Sequence, residues 1–366
     1  MKVPFLELGR ETEEVHAPVS RALEEALRES RFTLGPAVGA FELAWASFCG
    51  AGHAVGVASG TDALALALGA VGVGPGDEVV TAANTCVPTV AAIVQAGAAP
   101  VLADVDPRTG TLDPASAASA VTERTRAIVP VHLYGQCAEM EPILAVARAR
   151  GLSVVEDAAQ AHGAEYRGRR AGTLADAAAF SFYPTKNLGA LGDAGAVVTD
   201  DGEVAERVRL ARSYGESTRY LSVTRAASSR LDTVQAAVLA AKLPRLAPWN
   251  ERRRSLAGTY LERLAGTDLE LPAEAPDRRH VYHLFPVRTP RRDALRRALE
   301  ALGVETLVHY PRPVHKHPAY ADLARSDGAL SVSERLSAET LSLPLYPQLR
   351  DEEQSAVCEA VLRASS

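Results

Sequence analysis

Leu152-Ser153-Val154-Val155-Glu156-Asp157 is a short apolar, β-branched run that closes on two carboxylates. It predicts a strand over 152–156 with Asp157 at its mouth. Residues 139–150, just before it, have helical length and composition, and 126–132 reads as another strand. The same rhythm continues in both directions. Strands are predicted at 54–58, 78–81, 100–105, 126–132, 152–156, 177–182 and 194–199, with helices at 61–71, 87–96, 114–121 and 139–150 between them. Runs such as Ala127-Ile128-Val129 and Ala196-Val197-Val198 suit strands covered on both faces. The expected fold class is α/β, with a mainly parallel sheet wound by helices.

Near residue 213 the alternation stops. Leu231, Val234, Val238 and Ala241 recur at helical spacing, and Pro244 and Pro248 are expected to end that helix. Beyond them, 252–264 and 291–302 read as helices and 283–288 as a strand. The chain is expected to divide into a large domain over 1–243 and a smaller C-terminal α/β domain over 244–366. No low-complexity linker separates the two, so they should be docked.

Composition narrows the function classes. The chain has 366 residues, 47% of them hydrophobic and 23% charged, which fits a folded globular protein. Its net charge of −6 supplies no overall field for nucleic acid or an anionic bilayer. Cys49, Cys86, Cys137 and Cys358 are far apart with no paired spacing, so neither a disulfide framework nor a metal cluster is expected. The first ten residues lack a secretory h-region, and the apolar stretch 87–103 is broken by two prolines, a glutamine and a glycine. A cytoplasmic protein without a membrane span is expected.

In a doubly wound sheet, ligands gather outside the carboxyl ends of the strands. Three features fall there. Ser59-Gly60-Thr61-Asp62 joins a strand to a helix, where free amides and a Thr hydroxyl can cradle a phosphate, although such residues also simply cap helices. Asp157 can hold a protonated ring nitrogen, and Gln160 can donate to a neighbouring oxygen. Lys186 follows a proline-containing turn within Ser181-Phe182-Tyr183-Pro184-Thr185-Lys186-Asn187, and a desolvated lysine there can form a Schiff base. Each feature alone has an ordinary structural explanation. Together they match the needs of pyridoxal phosphate: an anchored phosphate, a carboxylate facing the pyridine nitrogen, and an imine-forming amine. No G-x-G-x-x-G turn follows the first strand, which disfavours a nicotinamide dehydrogenase.

These segments resemble the DegT/StrS-type nucleotide-sugar aminotransferases, of the aspartate aminotransferase fold (fold type I). The matching stretches are Ser59-Gly60-Thr61-Asp62-Ala63-Leu64, Glu156-Asp157-Ala158-Ala159-Gln160-Ala161-His162-Gly163, residues 181–192 with Lys186, Ser229-Arg230-Leu231-Asp232, and His309-Tyr310-Pro311. The resemblance implies that Lys186 binds the cofactor and moves the proton, that Asp157 pairs with its ring nitrogen, and that Gln160 bonds its ring hydroxyl. Gly60, Thr61 and Ser181 would bind the phosphate. Tyr183, His309, Tyr310, Arg219 and Arg230 are the expected substrate contacts. The spelling of 181–189 is most similar to members that aminate C3 of dTDP-linked 3-keto-6-deoxyhexoses, with L-glutamate as donor in a homodimer that shares its active sites. Such aminosugars enter antibiotic glycosides or surface polysaccharides. A 4-ketosugar or aminocyclitol substrate is the alternative within the class, and a non-catalytic ligand-binding or regulatory homologue the alternative outside it.

Two positions depart from the family pattern. Cys86 stands where members place an aromatic residue over the cofactor ring, and it can cover that ring only through a polarizable sulfur contact. Ser228 stands where members carry an asparagine that reaches the cofactor phosphate of the neighbouring subunit; a serine hydroxyl is a shorter donor.

Overall fold

The computed structural model describes residues 1–321, 325, 326 and 330–365. Its centre is an eight-stranded sheet. Seven of its strands are β1 (His53–Val57), β2 (Glu78–Ala82), β3 (Ala99–Ala103), β4 (Thr125–Val129), β5 (Ser153–Asp157), β6 (Ala177–Ser181) and β7 (Gly195–Thr199). They lie in the order β1-β7-β6-β5-β4-β2-β3, and Arg325–Ser326 pairs with the outer edge of β3. Only β7 runs against its neighbours. The mainly parallel sheet expected from the alternation is present, and all seven predicted strands lie within a few residues of their places.

Parity along the strands explains the two-sided core. Val55, Val57, Val79, Ala127, Val155 and Ala179 pack beneath the helices Gly60–Ala70 and Gly202–Ala211. Residues of the opposite parity, among them Ala54, Val80, Ile128, Val154 and Phe180, pack with Phe41 and Trp45 of the helix Pro36–Cys49. Successive side chains of a strand point to opposite faces, so a strand apolar at every residue is buried on both.

One expectation needs correction. Pro244 and Pro248 do not end the helix; it runs unbroken over Thr233–Leu264 and absorbs the separate helix expected at 252–264. Proline removes an N–H and crowds the carbonyl four residues back. Here the two prolines are four residues apart and both exposed, so they share one solvent-facing side where freed carbonyls meet water. The opposite side is fastened to the N-terminal helix Leu8–Glu29, through Lys242 to Glu11 and the Trp249 indole to Glu14.

This helix crosses the expected 243/244 boundary. Its second half joins a third cluster built from Leu256, Tyr260, Phe285, Leu299, Leu343 and Val361, which also takes in Val3. Among the described residues, no helix is long and apolar enough to cross a membrane.

Candidate active site

The parallel strands deliver their carboxyl ends to one side of the sheet. There a cavity of about 320 Å³ is lined by Gly60, Thr61, Cys86, Thr89, Asp157, Gln160, Ser181 and Lys186, with Tyr183 at its rim. Six separate segments of sequence meet in it. At the end of β1, Ser59 caps the helix Gly60–Ala70 by accepting from the Asp62 amide at 3.1 Å, and Gly60 and Thr61 remain on the cavity wall. The helix cap is observed, and the turn expected to cradle a phosphate is the same turn. Close packing requires a glycine at 60, because a Cβ there would lie 2.4 Å from Cβ of Ser181.

Strand alternation separates the two carboxylates at the end of β5. Glu156 is buried on the far face, accepting from the amides of Gly172, Leu174 and Ala175 and bonded to His132 at 2.8 Å. Its hydrogen bonds are internal and structural. Asp157 faces the cavity. Its Oδ2 accepts from the Thr89 hydroxyl at 2.7 Å and its Oδ1 from the Ala159 amide at 3.2 Å, which fixes the plane of the carboxylate. Thr89 is in turn bonded to Thr85 at 2.7 Å. Thr85 belongs to Asn84-Thr85-Cys86, at the strand exit where the sequence directs attention, whereas Thr89, four residues on in the following helix, carries no such signal.

Gln160 spans two tyrosines: its Oε1 accepts from the Tyr134 amide at 2.6 Å, and its Nε2 donates to the Tyr310 hydroxyl at 2.9 Å. The Tyr310 hydroxyl also interacts with the Cys86 thiol, so this cysteine is engaged from the C-terminal part of the chain. Burial pushes that thiol's pKa up. Tyr134 holds a positive φ of 59° and donates through its hydroxyl to the His309 carbonyl, a strained backbone position of the kind that clusters at functional sites.

Lys186 lies in the wall of this cavity and of a second, larger one of about 650 Å³ that also contains His309 and Tyr310. Burial lowers its pKa, while Cys86 and Asp157 act in the opposite direction. The lysine turn is fixed from behind. Asn187 donates to Asn250 at 2.9 Å and bonds His283 at 3.0 Å, and Asn250 donates to the His162 carbonyl at 2.8 Å. His162 Nε2 donates to the Ser181 carbonyl at 2.8 Å, and burial, followed by the charge on Lys186, pushes its pKa down to about 3. These supporting residues come from distant segments, and no local spacing marks them.

Three expected site residues lie elsewhere in the chain as described. Ser228 is exposed and bridges Ser213, Arg219 stacks over Tyr220 at 4.9 Å, and Arg230 over Tyr214 at 5.3 Å. None lines either cavity. The neighbouring Ser229 is the one that works within the chain, donating to Asp62 at 2.9 Å beneath the cradle.

Comparison with known proteins gives a consistent picture. The model of the DegT/DnrJ/EryC1/StrS aminotransferase family matches residues 14–362. The chain is 49% identical to the dTDP-3-amino-3,4,6-trideoxy-alpha-D-glucose transaminase of Streptomyces venezuelae, over 98% of this chain and 95% of the relative. It is 46% identical to a protein of Geobacillus stearothermophilus named a pleiotropic regulatory protein, over 99% and 98%. Among solved structures, DesV of S. venezuelae in complex with a ketimine intermediate superposes with a TM-score of 0.97 at 48% identity, covering 100% of this chain and 99% of that one.

Proposed function

The chain belongs to the DegT/DnrJ/EryC1/StrS aminotransferase family, and from that premise we propose that it aminates C3 of a dTDP-linked 3-keto-6-deoxyhexose with L-glutamate as donor. It is a pyridoxal-phosphate-dependent sugar aminotransferase. The observation that carries this reading is one cavity holding Lys186, Asp157 and the Ser59-Gly60-Thr61 turn.

The residues fit the cofactor. Asp157 presents a fixed carboxylate to a ring nitrogen, the amides and hydroxyls of Gly60, Thr61 and Ser181 suit a phosphate, and the Lys186 amine is desolvated toward its neutral, nucleophilic form. Bound there, pyridoxal phosphate supplies an electron sink and a temporary carrier for the amino group. Lys186 then moves the proton at the reacting carbon, and Gln160, held by Tyr134 and Tyr310, has a second amide hydrogen for the ring hydroxyl.

The choice of C3 is supported by the name of the Streptomyces relative and by the spelling of 181–189. The reading includes a homodimer. Tyr220, Leu221 and Val223 are 82%, 56% and 59% exposed, an apolar edge suited to burial against a second copy. In that dimer Ser228, Arg219 and Arg230 serve the neighbouring subunit's cavity, and Tyr183, His309 and Tyr310 contact the sugar. The reading also divides the chain near residue 243 into a cofactor domain and a smaller C-terminal domain. It places the enzyme in the cytoplasm, making aminosugars for antibiotic glycosides or surface polysaccharides. A purely regulatory role has the Geobacillus relative's name behind it. It gives no reason for a desolvated lysine facing a fixed carboxylate.

Visible absorbance tests the reading. Wild type supplied with pyridoxal phosphate should show the band of a lysine-bound cofactor, and Lys186→Ala should not. A wild type with no such band would remove the enzymatic reading.

A further inference from the structure

Lys186 lines two cavities, one of about 320 Å³ that it shares with Asp157 and one of about 650 Å³ that it shares with Arg253. The inner wall of that cavity is basic. Its charge comes from Lys186 and Arg253, beside the neutral imidazoles of His283 and His309, while Arg296, Glu300 and Glu305 are exposed, with Glu305 paired to Lys2 at 3.0 Å. Arg253 comes from the long helix Thr233–Leu264 and is only 4% exposed.

The guanidinium of Arg253 is incompletely satisfied. Its Nη1 donates to the carbonyls of Tyr282, His283 and Leu345 at 3.3, 3.3 and 2.9 Å. Its Nε has no partner, and among the described residues none of its hydrogen bonds goes to a carboxylate. The acid that acts on it, Glu11, is already paired with Lys242 at 2.5 Å. Burial pushes the Arg253 pKa down to about 10, and His283 is held well below its ordinary value by burial and by the charges on Lys186 and Arg253. A buried cation without a counter-ion is costly, and an arginine fork matches a carboxylate.

We propose that Arg253 receives a carboxylate of the amino donor, in the cavity that it shares with Lys186. The inference rests on the aminotransferase reading above. Two anions could meet this charge, the donor's carboxylate and the sugar's diphosphate. In an α-amino acid a carboxylate is bonded to the carbon that bears the reacting amine, so it must lie close to Lys186. The diphosphate is attached at C1 of the sugar, beyond part of the ring from C3. The inner position of Arg253 favours the carboxylate.

The two half-reactions separate these sources. Holoenzyme is mixed with L-glutamate, and loss of the visible band gives the donor half-reaction; enzyme loaded with pyridoxamine phosphate is mixed with ketosugar for the other. Arg253→Gln should raise the glutamate concentration for half-maximal conversion roughly 10- to 100-fold, the range of a lost charge-assisted hydrogen bond. The sugar half-reaction should change several-fold less, and Arg253→Lys should fall between. In wild type, glutarate should compete with glutamate and neutral glutaramide should not, a comparison that stands even if the glutamine variant fails to fold. Equal loss in both half-reactions, an unchanged glutamate dependence, or glutaramide competing as well as glutarate would overturn the proposal. A wild type with neither cofactor band nor turnover would instead overturn the aminotransferase reading itself.

Discussion

The Thr89 hydroxyl donates to Oδ2 of Asp157 over 2.7 Å, and Thr85 is bonded to the same hydroxyl at 2.7 Å, with both threonines 2% exposed. A carboxylate accepts only, so Thr89 must give its proton to Asp157 and take one from Thr85. The carboxylate that faces the cavity is thus held from β2's exit as well as from its own strand. Thr89→Val keeps the shape and removes the donor. It should weaken binding of pyridoxamine phosphate by about 10-fold, the value of one hydrogen bond to a charged group, and Thr89→Ser should restore it. Equilibrium dialysis of the variants measures this directly.

Gly60 and Ser181 are packed so closely that a methyl group has no room between them. Gly60→Ala should lower stability by about 1–3 kcal/mol through overpacking. It should also push the phosphate cradle away from Ser181, so the apparent dissociation constant for pyridoxal phosphate should rise in the same variant. Denaturant unfolding with and without cofactor separates the two effects.

His162 is buried neutral, with a pKa of about 3 against about 6.5 for an unfolded histidine. Between those values the unfolded chain binds the proton and the folded chain does not, so stability is complete above pH 6.5 and declines as pH falls toward 3. One such group loses about 1.4 kcal/mol per pH unit, or about 2 kcal/mol from pH 6.5 to pH 5. His162→Gln retains a donor for the Ser181 carbonyl and cannot titrate. The difference in unfolding free energy between pH 7 and pH 5 should shrink by about 2 kcal/mol relative to wild type.

Much of the architecture was legible because the sheet is buried on both faces. Apolar runs such as 127–129 and 196–198, set in the strand–helix alternation, suit interior strands, and a parallel sheet puts the residue after each strand at the ligand side. Asp157 was separable from Glu156 on that ground, and the structure places the two on opposite faces. Lys186, Gly60, Thr61, Gln160 and Ser181 then converge on the same cavity.

What escaped is what only the folded chain brings together. Asn250 sits in the middle of a helix, and its amide becomes meaningful only beside Asn187 and His162. The prolines at 244 and 248 carry the strongest local stop signal available, yet burial of the opposite side of the helix against Leu8–Glu29 outweighs it. Ser228, Arg219 and Arg230 line neither of the two cavities around Lys186, a placement that the motif alone does not show.

The lysine supplies a further pH signature. Because burial lowers the Lys186 pKa, its amine is neutral over a wider pH range than an exposed lysine with a pKa near 10.4. Uptake of pyridoxal phosphate by cofactor-free protein should therefore accelerate with a midpoint below that value. Asp157→Asn removes a charge that favours the protonated amine, so it should move the midpoint lower still.

The central claim is amino transfer to C3 of a dTDP-linked sugar at Lys186. Enzyme, pyridoxal phosphate and ¹⁵N-labelled L-glutamate are incubated with dTDP-3-keto- or dTDP-4-keto-6-deoxyhexose, and the products are read by mass spectrometry and NMR. Labelled nitrogen at C3 of the first sugar, absent with Lys186→Ala, is the predicted result. Turnover of only the 4-keto sugar, or labelled product from the Lys186→Ala protein, would contradict it.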